Sequence, residues 1–491
     1  MENEINLKKS TKLISVILGA LAGAFAWHIR GSHGFGAMWG VIFVSTVLTL
    51  LVYFFYGKRE RMSYELIPVG MILAAVNVPA WGEVNTLMKG TIVNSVPIDG
   101  KVSYGVINGW HGVILMLMTG FTLMCLYSIF FGSLFSKRKY KLWQYAIFIA
   151  VFIGVTYLVK ATISHNILSA IAPEIPEHFT RGLEAAGNDL TPKEFLLKYL
   201  TNDAKFKKIA YGRAYCECIN HIAEAIASVV VLLVARVAFK DRVTAVVSLV
   251  FNIFSMIGFV VGDIALLGGT PVETSIIHGT ALEKLLPYSS WSLWEYITGF
   301  FMGLGAMLII ALLPKKLTAQ KEYRVEPKFG NKIVSYIYNL VLVALVPAVV
   351  PIVRAQSMRI SAFLLGMKVI GEKQEDLFSY IFMGVIGIAV LIPIIKVVTE
   401  NMLKDNMPGP FKMNAQAFAR KSLPLIILVP LVGFLVPDDY MIWGVSEYLN
   451  GVWSNGEIIS FAGADALTIV TGAIAVIMIY GMKKSFEKKG N

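Results

Sequence analysis

Cysteine and charge are both scarce in this chain. There are three cysteines in 491 residues, Cys125 and the close pair Cys216 and Cys218. Two residues apart on a helix, that pair cannot bridge to itself, which excludes a disulfide framework, and no CxxC metal site is present. Asp, Glu, Lys and Arg make up 15% of the chain, well under the roughly 25% of soluble domains. No G-x-x-x-x-G-K-[ST] loop occurs, so an ATP-driven pump would need a partner subunit for its nucleotide site. An HExxH zinc motif is missing as well, and no motif in the sequence calls for a cofactor.

What fills the chain instead is apolar residues in blocks. The sequence is 56% hydrophobic, and its blocks run for about 20 residues, the length that crosses a bilayer core as a helix. About twelve spans are predicted, at 12–29, 37–56, 65–81, 111–134, 142–162, 213–237, 243–263, 291–313, 333–353, 378–398, 421–437 and 460–482. The predicted fold class is all-α, a polytopic membrane protein set in the lipid bilayer.

The net charge of +12 would suit a nucleic-acid partner, but its distribution explains it otherwise. Basic residues gather in alternate connections: Lys8, Lys9 and Lys12; Lys58, Arg59 and Arg61; Lys137 to Lys141; Lys315 and Lys316; Lys483 to Lys489. By the positive-inside rule both termini are cytoplasmic and the protein sits in the cell (inner) membrane, with no role for nucleic acid. The alternation holds only if the run 12–29 stays as the first span, so it is read as uncleaved.

Twelve spans allow two six-helix halves, 1–240 and 241–491, as in many transporters, although no residue match between the halves supports a repeat. Three insertions fall on the outer side. Residues 90–107 alternate around Asp99-Gly100 as a β-hairpin does. Residues 165–212 form a helical cap, with Thr191 as N-cap, Pro192 at the first helical position and Glu194 completing a capping box. Residues 438–459 are rich in Trp, Tyr and Gly and suit a re-entrant loop.

The same topology puts all seven histidines, and every tryptophan except Trp143, on the outer side. An interfacial aromatic belt would mark both interfaces, so the imbalance favours an outward-facing cavity. At the first outer turn, WHIRGSHGFG, glycines and a helix N-terminus meet His28, Arg30 and His33. That is chemistry for holding a carboxylate or phosphate. The plainer reading is a tight turn packed by its glycines, with Arg30 reaching lipid headgroups. Other outer helix ends pair tryptophan with an acid or imidazole, adding Glu83, Trp110, His111, Trp294, Glu295 and Glu447 to a candidate substrate-binding set. Tryptophan faces stack on sugars or cations, and carboxylates accept from hydroxyls.

The sixth span carries the strongest pattern. Arg213, Glu217, His221 and Glu224 are spaced 4, 4 and 3, which puts all four on one helical face. Glu224 should then lie near mid-membrane, a costly place for a carboxylate, where it serves a functional partner by default. The stripe suits a proton or ion relay, with Asp263 on the next span as a further acid. It equally suits a salt-bridge ladder pairing Arg213 with Glu217 and His221 with Glu224. A metal site is the weaker reading, because no second motif completes the ligand set.

These patterns lead to an expected function, a secondary transporter of a small polar solute, anionic or sugar-like, coupled to protons or a cation. The alternative is a membrane-embedded enzyme acting on a glycan or lipid headgroup at the outer face, with His and Glu as acid and base.

Overall fold

A computed structural model describes residues 86–93, 104–266 and 278–312 apart from a few positions, together with parts of 10–24 and 360–389. The predicted spans 37–56, 65–81, 333–353, 421–437 and 460–482, most of 378–398 and much of 12–29 lie outside the described residues. So does the loop 438–459.

The described chain is mainly helical. After two short strands, β1 (Thr91–Val93) and β2 (Tyr104–Val106), come α1 (Gly109–Thr122), α2 (Cys125–Phe135), α3 (Leu142–Thr162), α4 (Ser164–Ile171), α5 (Glu174–Ala185) and α6 (Pro192–Lys198). Then follow α7 (Gly212–Leu233), running on through one wide π turn (Val234–Ala238), α8 (Arg242–Ala265) and α9 (Trp291–Leu312). Three stretches are long and apolar enough to cross a membrane, Leu142–Thr162, Gly212–Ala238 and Arg242–Ala265. Helices α1 and α2 together make a fourth if they form one broken span.

That break is the main departure from the hydropathy pattern, which runs unbroken over 111–134. The two helices are bent by 42°, and two threonine hydroxyls bond backbone carbonyls in the turn before the bend. The Thr119 hydroxyl donates to Leu115 O at 3.0 Å and the Thr122 hydroxyl to Thr119 O at 2.9 Å. Back-bonding of this kind competes with the helical ladder and bends it.

Glycine then lets the bent pair close on α8. A Cβ at Gly120 would lie 2.7 Å from Met256 Cα, and one at Gly132 would lie 2.7 Å from Thr244 O. Small residues at crossings bring membrane helices into van der Waals contact where no hydrophobic drive separates helix from lipid. Helix α7 lies against α3 and α1. Val229, Leu233 and Val237 of α7, with Ile153 and Leu158 of α3, remain exposed. They are apolar residues suited to lipid.

At one end of this bundle sits the cap. β1 and β2 pair antiparallel, with Thr91 opposite Val106 and Val93 opposite Tyr104. The predicted capping box is present: Thr191 accepts from Glu194 N, and the Glu194 carboxylate accepts from Thr191 N at 2.9 Å. Phe179, Phe195 and Phe206 form the cap core, and Tyr215 of α7 stacks on Phe179 at 4.6 Å between centroids. Each such ring pair contributes about 0.5–1.5 kcal/mol beyond buried area, so the cap is docked on α7 by aromatic packing. At the other end of the bundle Asp241 caps α8 through Val243 N and Thr244 N and accepts from Tyr140 at 2.9 Å.

By compactness the chain forms two units, 80–301 and the discontinuous 1–79 with 302–491. The described site residues discussed below fall in the first.

Candidate functional site

Helix α7 places its polar stripe inside the bundle. Arg213 Nε donates to Glu217 Oε1 at 2.8 Å, one turn along the same helix. His221 turns away from its own helix: its Nδ1 lies 2.8 Å from the Thr119 hydroxyl of α1. The same hydroxyl lies 3.0 Å from Leu115 O; when it donates there it accepts from His221 Nδ1–H, and when it donates to Nδ1 the imidazole is the acceptor. His221 and Glu224 are both buried, 5% and 8% exposed. The rung drawn from the sequence between Arg213 and Glu217 is therefore formed. In place of the second rung stands a bond between two helices.

Around the capped end the charges of several elements converge. His111, at the start of α1, has its Nδ1 3.1 and 3.0 Å from the two carboxylate oxygens of Glu174 on α5. Glu174 also accepts from Asn108 N at 3.1 Å. Lys160, almost fully buried at the end of α3, donates to Asp203 at 2.7 Å. The other Asp203 oxygen accepts from Asn220 of α7 at 2.8 Å. His165 Nδ1 meets the Tyr215 hydroxyl at 2.9 Å. His178, bonded to Arg181 and to Val106 O, props the hairpin. Burial first and Lys193 second hold His165 below the ordinary histidine range, and burial and Arg181 do the same for His178.

Of the candidate substrate-binding residues, Trp110 is 76% exposed, beside the His111–Glu174 pair. Trp294 is buried against Phe259, edge to face at 5.4 Å, so it packs α9 on α8. Glu295 follows it, half-buried. Asp263 is fully buried near the end of α8. His28, Arg30, His33, Glu83 and Glu447 lie outside the described residues. Sequence reading missed Glu174, Asp203 and Thr119, whose roles need partners 40 or more residues away. It also missed the neutral Asn252 and Ser255 of α8, fully buried.

No protein-family model, curated protein or solved structure matches this chain.

Glu174 supplies a test of the cap. Burial raises its pKa, but its own backbone N–H, Asn108 N–H and His111 outweigh that and hold it below the ordinary value. A depressed folded pKa means stabilisation that is complete above the unfolded value, about 4.3, and lost as pH falls through the folded one. The pair is partly exposed, so roughly 0.5–1 kcal/mol is at stake. Acidification through that window should release the Asn108 amide, read as faster hydrogen exchange after correction for intrinsic rate. Glu174→Gln should show the fast rate already at neutral pH; equal protection in the variant would detach Glu174 from this role.

Proposed function

We propose that the protein is a secondary transporter of a small polar solute, anionic or sugar-like, coupled to protons or a cation. The observation that carries the reading is the placement of Glu224 and His221. Both are buried among helices at mid-length of a span-length helix, with His221 bonded across to α1. Glu224 lies about 18 Å along α7, near the middle of a core about 30 Å thick. An ionisable pair at that depth is costly, and it marks a substrate or ion path more often than a structural tie.

In this reading both termini are cytoplasmic, the cap faces outward in the cell membrane, and the spans number about twelve. The residues at the capped end form the vestibule. His111, Glu174 and the exposed Trp110 meet solute first, and Arg213, Glu217, His221 and Glu224 lead inward along one face of α7. His28, Arg30, His33, Glu83, Glu447, Trp294 and Glu295 stay the candidate solute-binding residues that the sequence pattern proposes. Asp263 adds a second acid to the ion path.

A second reading has one observation in its favour. In the His111–Glu174 pair the carboxylate holds Nδ1, which leaves Nε2 to take a proton, the arrangement of a general base. That suits an enzyme acting on a glycan or lipid headgroup at the outer face.

The deciding experiment is flux. Purified protein in proteoliposomes should accumulate a labelled monosaccharide or small carboxylate against its gradient when an ion gradient is imposed. A cysteine at Asp189 should be labelled only from outside and one at Lys139 only from the cytoplasm. Absence of flux for every such solute, together with chemical turnover of a glycan or lipid headgroup, would replace transport with the enzyme reading. Reversed labelling would overturn the outward vestibule.

A further inference from the structure

Helix α8 carries a second polar stripe, made of neutral groups. Thr244, Ser248, Asn252 and Ser255 follow one another at steps of 4, 4 and 3, and all four are fully buried. The first two are satisfied: the Thr244 hydroxyl donates to Asp241 at 2.8 Å, and the Ser248 hydroxyl lies 2.8 Å from Ser128 O and 2.7 Å from Thr244 O. Asn252 and Ser255 are not. Among the described residues, neither end of the Asn252 carboxamide nor the Ser255 hydroxyl has a hydrogen-bond partner. A buried amide in that condition is expensive unless something else completes its bonds.

Their place in the bundle says what that is. Ser248 touches α2 at Ser128. Two turns further along, Met256 and Phe259 close on α1 at Gly120. Asn252 falls between these two contacts along α8, as the interruption between Thr122 and Cys125 falls between them along α1 and α2. It is about 15 Å from the start of a helix about 36 Å long, near mid-membrane.

A helix that ends there leaves its last carbonyls without intrahelical donors and concentrates partial negative charge. Thr119 O is taken by the Thr122 hydroxyl; the carbonyls of Gly120, Phe121 and Thr122 come next. On the far side of the break, α7 brings Glu224 and Ser228 up to Cys125. Arg213, Arg236 and Arg242, on α7, its π turn and α8, lie toward the helix ends, the imidazole of His221 is bonded to Thr119 one turn from Glu224, and α1 and α2 contain neither Lys nor Arg. The field at the break therefore favours positive charge.

The geometry points to a site for a small monovalent cation, of sodium-like chemistry, held by Asn252 Oδ1, Ser255 Oγ and the carbonyls of the last turn of α1. The ligands are hard, neutral oxygens, the type that replaces the hydration shell of such an ion at a broken membrane helix. With Oδ1 turned to the ion, the Asn252 Nδ2 donors face the other way, toward a solute oxygen. One side chain then serves both ligands, so each improves the site for the other. As a coupling device the site rests on the transport reading above; as a binding site it stands apart from it.

The test uses sodium alone, on full-length protein in detergent, with choline chloride holding ionic strength constant. Wild type should bind radiolabelled sodium saturably, and sodium should raise its thermal midpoint where choline does not. Asn252→Leu and Ser255→Ala should each weaken binding about tenfold or more, which corresponds to losing one ligand. Asn252→Asp, which keeps the oxygen and adds charge, should bind at least as tightly as wild type. Should Asn252→Leu fail to give monodisperse protein, Ser255→Ala and Asn252→Asp carry the comparison. No saturable sodium binding by wild type, or undiminished binding in Ser255→Ala, overturns the site. Sodium binding without solute flux would remove the transport reading and keep the site; flux without sodium binding would do the reverse.

Discussion

Glu224→Gln is expected to abolish uphill accumulation of solute while exchange of solute across the same membrane continues. Glutamine has the shape and hydrogen-bonding capacity of a protonated carboxyl and cannot become charged. It therefore holds α7 in one of the two states that a coupling carboxylate must alternate between. The neighbouring geometry survives the change: His221 keeps its bond to Thr119, and Arg213 keeps Glu217. Binding and exchange need only the solute path, whereas accumulation needs the ion step as well. An inert packing group has no reason to separate the two. In the enzyme reading, turnover would fall and no uphill flux would exist to lose. Proteoliposomes loaded with solute report exchange, and the same vesicles under an imposed ion gradient report accumulation. Gradient-driven uptake by the Gln variant at the wild-type level removes Glu224 from the mechanism.

The parts of this architecture that depend on local pattern were legible in the sequence. The apolar runs 142–162, 213–237, 243–263 and 291–313 correspond to α3, α7 with its π turn, α8 and α9 within a few residues. Their ends follow residues whose chemistry stops or starts helices, such as Asp241 accepting from Val243 N and Thr244 N. The capping box at Thr191 and Glu194 was equally visible, since it closes within four residues.

The break between Thr122 and Cys125 was not legible, because hydropathy counts threonine and glycine as tolerable in a span and is blind to hydroxyls bonding the preceding turn. Nor could the sequence pair His111 with Glu174 or Lys160 with Asp203, where the partners lie 63 and 43 residues apart. The charged stripe of α7 stood out because charge in a span is rare. The neutral stripe of α8 has the same spacing but was hidden by its lack of charge, and only burial without a partner sets Asn252 and Ser255 apart.

The largest loss of stability is expected from Asp203→Ala. Lys160 is 4% exposed and bonds Asp203 at 2.7 Å, and the other carboxylate oxygen holds Asn220 of α7. One side chain therefore joins α3, the cap and α7. Removing it strands an ammonium in a nearly dry setting and leaves the Asn220 amide without that acceptor. Breaking a buried pair in this way costs about 3–5 kcal/mol, and the partial exposure of Asp203, 30%, places the expected loss near about 3 kcal/mol. The cost lies in the stranded charge, so Lys160→Met combined with Asp203→Ala should recover most of it, because apolar groups of similar size often replace a buried ion pair at little loss. Chemical unfolding of the three variants in detergent gives the cycle. The triad also ties the cap to α7, so the single variant should free the cap first, seen as protease cutting within 187–210 before the bundle unfolds. If the double variant is as unstable as Asp203→Ala alone, the stranded lysine is not the cause, and the role of Asp203 would rest on Asn220 and the cap turn instead.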